Sequence, residues 1–113
     1  MEIKFNSLQQ ATIGVSGSDI TYECTGNANI SGNVLNTFEG GNITKKGDGT
    51  HLATFSSFRD GQMSINFEGG SPEDWPNLIE VANTFLSDLR EKVGTIDAVS
   101  YTHLRAHETR SNL

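Results

Sequence analysis

The hydrophobic period of this chain changes once, near Ser71, from 2 to 3.6. That switch restricts the fold more than any other feature. Before it, short alternating segments lie between clusters of Gly, Asn, Ser and Asp, the pattern of a β meander. Ile3 and Phe5 alternate with Glu2 and Lys4, and Ala11, Ile13 and Val15 follow. Gly17-Ser18-Asp19 is a turn signal, after which Ile20, Tyr22 and Cys24 resume the alternation. The clearest hairpin places Ala53, Phe55 and Ser57 before Arg59-Asp60-Gly61 and Met63, Ile65 and Phe67 after it. Asp-Gly supplies the turn chemistry, and Gln62, Ser64 and Asn66 take the other face.

After Ser71, Trp75, Leu78, Ile79, Ala82, Phe85, Leu86, Leu89 and Val93 recur at helical spacing. Ser71 suits an N-cap, Pro72 the first helical position, and Asp74 the acid of a capping box. Asp88 and Lys92 have the spacing of an ion pair along one face, and Gly94 is a natural stop. The spacing predicts a helix over about 72–93.

Between the two clear hairpins the pattern is weaker. Thr25-Gly26-Asn27 reads as a turn, and Ile30 stands alone among small polar residues. Gly32-Asn33 leads into a strand in which Val34 and Phe38 share one face and Leu35 takes the other. Gly40-Gly41 reads as a break, Ile43 anchors a short strand, and Gly47-Asp48-Gly49 reads as a tight turn. The expected class is α+β: an antiparallel meander of about six to seven strands, followed by one amphipathic helix packed on the sheet. The order of elements also resembles the pleckstrin-homology-like arrangement, a bent sheet or small barrel plugged by a C-terminal helix. That likeness is one of element order and implies no function.

Residues 99–109, Val-Ser-Tyr-Thr-His-Leu-Arg-Ala-His-Glu-Thr, closely resemble one translated frame of a transposase-type sequencing adapter. Residues 110–113 fit the index and resumed constant bases that follow it. The resemblance implies that 98–113 is a non-native tail of metagenomic origin, and that 1–97 is a single small domain truncated at its C-terminus. It also disposes of His103, His107 and Glu108, which otherwise have the spacing of metal ligands on a helix.

Residues 1–97 carry six Lys and Arg against thirteen carboxylates, a formal charge of −7, compared with −6 for the full 113 residues. Such an acidic chain repels phosphate backbones, which disfavours nucleic acid as a partner. The adjacent pair Lys45-Lys46 sits beside a turn and reads as a solvated hairpin end. No apolar run is long enough to span a bilayer, so no membrane role is expected. The start lacks the form of a signal peptide, and one cysteine permits no internal disulfide. A cytoplasmic location follows as an expectation.

The remaining chemistry is sparse. Cys24 and His51 are the only thiol and imidazole of 1–97, and Cys24 reads as a small buried thiol. Gly69-Gly70 before a helix resembles a phosphate cradle, but its spacing matches no nucleotide motif and Glu68, Glu73 and Asp74 surround it with negative charge. Glu23 and Glu39 lie in strand segments and are expected to face solvent, while Asp19, Asp48 and Asp60 belong to turns. Asn29 and Asn42 match the glycosylation pattern, which carries no weight without a secretory signal. Trp75 fits the core stripe of the helix. Phe58 falls off the Ala53–Phe55 face and, with Arg59, is the candidate partner contact.

These readings favour a small non-enzymatic interaction or accessory domain of bacterial or phage origin, with a protein partner and no cofactor or metal. The alternative is a small-ligand module with a cavity between sheet and helix. A hydrolase using paired carboxylates is more remote, because no catalytic constellation is visible.

Overall fold

A computed structural model describes residues 1–9 and 12–95. The sequence readings that fall on Ala11, Ile96, Asp97 and 98–113, His103, His107 and Glu108 among them, lie outside the described residues. The alternating region forms β1 (Glu2–Gln9), β2 (Thr12–Ser18), β3 (Tyr22–Ser31), β4 (Val34–Lys45), β5 (His51–Phe58) and β6 (Met63–Phe67). They pair antiparallel in sequence order, a six-stranded meander, and are followed by one helix. This is the expected α+β class.

Aspartates make three of the turns. The Asp19 carboxylate accepts the amides of Thr21 and Tyr22 at 2.8 and 2.7 Å. Those of Asp48 and Asp60 accept the amides of Thr50 and Gln62, at 2.9 and 3.0 Å. Each adds a side-chain bond to the backbone bonds of its turn. The first also corrects the alternation read through Ile20. That residue lies in the Asp19 turn, 95 % exposed, and β3 starts only at Tyr22.

Two expected breaks are absent. Thr25-Gly26-Asn27 lies inside β3, and β4 runs straight through Gly40-Gly41. The glycines serve packing rather than chain reversal. A Cβ on Gly26 would lie 2.2 Å from the Phe38 ring, and one on Gly41 would lie 2.6 Å from it. Phe38 thus occupies a slot in the sheet that any side chain would fill. The ladder absorbs the irregularity as bulges in β4 at Asn36 and Gly40, where φ is +64° at the glycine. The Asn36 bulge also overturns the expected faces. Leu35 and Phe38 are both buried, and Val34 is exposed.

The helix begins as a 3-10 turn, Pro72–Asp74, and continues as α1 (Trp75–Gly94). The Asp74 carboxylate reaches back to accept the Ser71 amide at 3.1 Å, as the sequence suggested. Asp88 and Lys92 do not pair with each other. Asp88 meets the α-amino group of Met1 at 3.1 Å, and the Lys92 ammonium stands 5.3 Å above the Phe5 ring. Both contacts tie α1 to β1.

The inner face of the sheet and the helix stripe enclose one core. Phe38, Phe55 and Phe85 meet at its centre with centroids 5.1 to 5.8 Å apart. Ser57 is its buried polar residue, and the Arg90 guanidinium donates to the Ser57 hydroxyl at 2.6 Å. One flank of α1 faces β1 through Asp88 and Lys92, and the other faces β5 and β6 through Arg90 and Trp75. A helix about 10 Å wide touches both sides of so wide a sheet only if the sheet curls around it. Among the described residues the sheet is bent but not closed: β1 pairs only with β2, and β6 only with β5.

Candidate functional site

The face turned away from the helix is polar, with Ser, Thr and Asn across its middle and charged residues such as Glu2, Lys4, Glu23, Glu39 and Glu68 around them. One register row crosses all six strands: Lys4, Ser16, Thr25, Asn42, Thr54 and Asn66. Where Gly40 and Gly41 lack side chains, this face has a depression of about 230 Å³ bordered by Asn42, Thr54, Ser56, Ser64 and Asn66. Asn29 and Asn42, the glycosylation-pattern residues, are engaged here. Asn36 Nδ2 donates to Asn29 Oδ1 at 3.2 Å, and Asn42 Nδ2 donates to the Gly40 backbone carbonyl at 3.0 Å. Glu23 and Glu39 face solvent as expected.

A second depression, about 390 Å³, lies between α1 and the Asp19 turn, with Tyr22, Asn77 and Glu80 in its wall. Burial first, then the nearby carboxylates of Asp74 and Asp19, raise the Tyr22 phenol above its ordinary range. Among the described residues no three His, Cys, Asp or Glu side chains converge as metal ligands. No described helix is long and apolar enough to cross a membrane.

Cys24 and His51 stand on different surfaces. Cys24 is fully buried on the inner face, and burial pushes its thiol up to about 12, which keeps it protonated and unreactive. His51 is exposed, its Nε2 2.6 Å from Glu68 Oε1. Gly69 follows Glu68 because a Cβ there would lie 2.3 Å from the His51 carbonyl oxygen, and its amide donates to Leu52 at 3.0 Å. Gly70 takes φ +74°. Close packing and a left-handed turn account for the glycine pair, with no need of a phosphate.

Phe58 ends β5 on the polar face opposite Thr37, 46 % exposed, and Arg59 follows it in the turn into β6. The larger apolar exposure lies elsewhere, along β6. Met63, Ile65 and Phe67 are half-buried at the rim of the core. The Trp75 indole stacks on Phe67 at 4.9 Å, and Trp75 and Ile79 remain 40 % and 39 % exposed. Periodicity assigns all five to the apolar faces of β6 and the helix, and it cannot tell the rim of a core from its centre.

β6 is also a free edge. The Gln62 carbonyl accepts the Phe58 amide, and the Glu68 amide donates to the Leu52 carbonyl, so both turn toward β5. Bonding direction alternates along a strand, so the amides and carbonyls of Met63, Ile65 and Phe67 turn outward. Among the described residues no strand meets them. The opposite edge, β1, carries Glu2 and Lys4 and a bulge at Asn6, devices that discourage further pairing. β6 has no charge, proline or bulge. Comparisons with protein families, curated proteins and solved structures find nothing that matches this chain.

Proposed function

We propose that residues 1–95 form an interaction domain that accepts an extended protein strand along β6. The observation that carries this is the coincidence, in one place, of an open charge-free edge and the exposed apolar strip Met63, Ile65, Phe67, Trp75 and Ile79. Strand addition takes affinity from backbone bonds and specificity from side chains on alternate faces. Here the backbone bonds come from β6, and the side-chain surface is the strip on the helix side. The acidic character of the chain disfavours nucleic acid, and an open strand edge suits a polypeptide. Phe58 and Arg59, at the entry to β6, adjoin this edge and keep their place as candidate contacts.

The test is selection of binders from a displayed library of random linear peptides. The expected binders are extended, charge-poor sequences with alternating apolar residues. They should lose binding to an Ile65→Pro variant, which removes one outward amide and no bond to β5. Failure to enrich any binder, or binders indifferent to Ile65→Pro, would overturn the reading.

A further inference from the structure

We infer that the strand β6 receives is the β6 of a second copy of this chain, so that two sheets join into one about a two-fold axis at Ile65. This rests on the strand-accepting reading above and adds the identity of the partner.

The register is self-complementary. Rotation about an axis through Ile65, perpendicular to the sheet, sets Ile65 opposite Ile65 of the second copy and Met63 opposite its Phe67. These are the residues whose bonding groups turn outward, so each facing pair exchanges two bonds, about six in all. The same rotation keeps the faces matched. Met63, Ile65 and Phe67 meet their counterparts on the helix side, and Ser64 meets Asn66 on the polar side. The strips containing Trp75 and Ile79 then lie on one face of the joined sheet, across the axis from each other.

Charge supports the same pairing. The chain is strongly acidic overall, yet Met63–Phe67 is uncharged, so the copies meet where repulsion is least. Arg59, just before β6 in one copy, comes to the end where Glu68 of the other follows β6. A head-to-tail alternative, β6 on β1, would meet Glu2, Lys4 and the Asn6 bulge. The free edge therefore closes a dimer rather than growing a fibre. Five residues and a narrow strip make a small interface, so the dimer is expected to be reversible.

Sedimentation velocity of the full chain, from micromolar to submillimolar concentration, tests this. The expected result is a concentration-dependent shift from monomer to dimer, strengthened by added salt as the net charges are screened. Ile65→Pro should abolish it, and Ile65→Lys should do the same where the proline variant fails to fold. The Ser64→Cys/Asn66→Cys double variant reads the register, because these residues face each other across the axis at a Cα separation of about 4.5 Å. Oxidation should give a covalent dimer, whereas Lys4→Cys should not. A monomer at every concentration overturns the inference, as does a dimer unaffected by both Ile65 changes. If the chain stays monomeric but selected peptides bind in an Ile65→Pro-sensitive way, strand acceptance stands and the second copy falls. If those binders are also missing, both fall.

Discussion

Replacing Gly26 with alanine sets two effects of opposite sign against each other. Gly26 sits in the middle of β3 with no positive φ, so its backbone suits any residue. Removing a glycine from such a site restricts the unfolded chain and by itself stabilises by about 0.4–1 kcal/mol. The new methyl, however, would stand 2.2, 2.8 and 3.0 Å from three atoms at the far end of the Phe38 ring. The ring cannot retreat. It is fully buried, with Phe55 at 5.1 Å on one side and Phe85 at 5.2 Å on another. Overpacking of a filled core costs typically about 1–3 kcal/mol, and three contacts this short belong at the upper end. The clash wins, and Gly26→Ala should lose about 2 kcal/mol net. In a domain of this size that lowers Tm by about 4–8 °C per kcal/mol.

Urea unfolding measures the loss, and a double-mutant cycle with Phe38→Leu identifies its cause. Leucine ends before the three ring atoms concerned, so Gly26→Ala should cost little, or stabilise, in the Phe38→Leu background. A Gly26→Ala protein as stable as the parent would refute the packing argument. So would an equal loss with and without the Phe38 ring.

The buried polar contact and the thiol give two further expectations. Ser57→Ala should cost about 1–3 kcal/mol by removing the charged hydrogen bond from Arg90, and the cycle with Arg90→Met should show coupling. Additive single losses would mean that the 2.6 Å contact contributes nothing. Cys24 should resist thiol reagents at neutral pH until the protein unfolds. Its folded thiol titrates near 12 against an ordinary 9.0, so the stability it contributes is full below pH 9 and is lost as pH rises toward 12. Urea midpoints measured across that range should fall for the parent and fall less for Cys24→Ala. Matching curves would remove the thiol from the alkaline transition.

The sequence declared its elements wherever one physical signal acted alone. The Asp60-Gly61 hairpin and the Trp75–Val93 stripe needed only turn chemistry and period, and the structure places both where they read. Gly26 and Gly40-Gly41 were misread because glycine has two local uses. It reverses a chain, and it leaves room for a neighbour. Only the position of Phe38 decides between them, and that is set by a strand pairing several residues away. The face of Leu35 was lost in the same way, since the bulge at Asn36 inverts the parity between Leu35 and Phe38. The Asp88–Lys92 spacing was sound for an isolated helix, but β1 offered each residue a better partner. The edge at β6 was legible in part. Met63–Phe67 is free of charge and proline, but nothing local marks it as the last strand of the described sheet.

The exposed rim follows from covering six strands with one helix. α1 has 20 residues, about 30 Å of length but only about 10 Å of width. Six strands at about 4.8 Å spacing span some 24 Å from first to last. Curling lets the helix touch β1 on one flank and β5 on the other, and the fully buried side chains lie between those limits. β6 falls beyond them. Its inward residues, Met63, Ile65 and Phe67, receive only the flank of the helix, where Trp75 stacks on Phe67 and Ile79 lies one turn further along. A fold that needed no partner at this edge could end the sheet at β5 or place charges on β6, as it does on β1. Instead it adds a strand whose apolar side chains are left half-covered and whose outward bonding groups meet no strand among the described residues. The same shortage of helix that leaves β6 at the rim is the reason a second strand placed there would gain both backbone bonds and apolar cover.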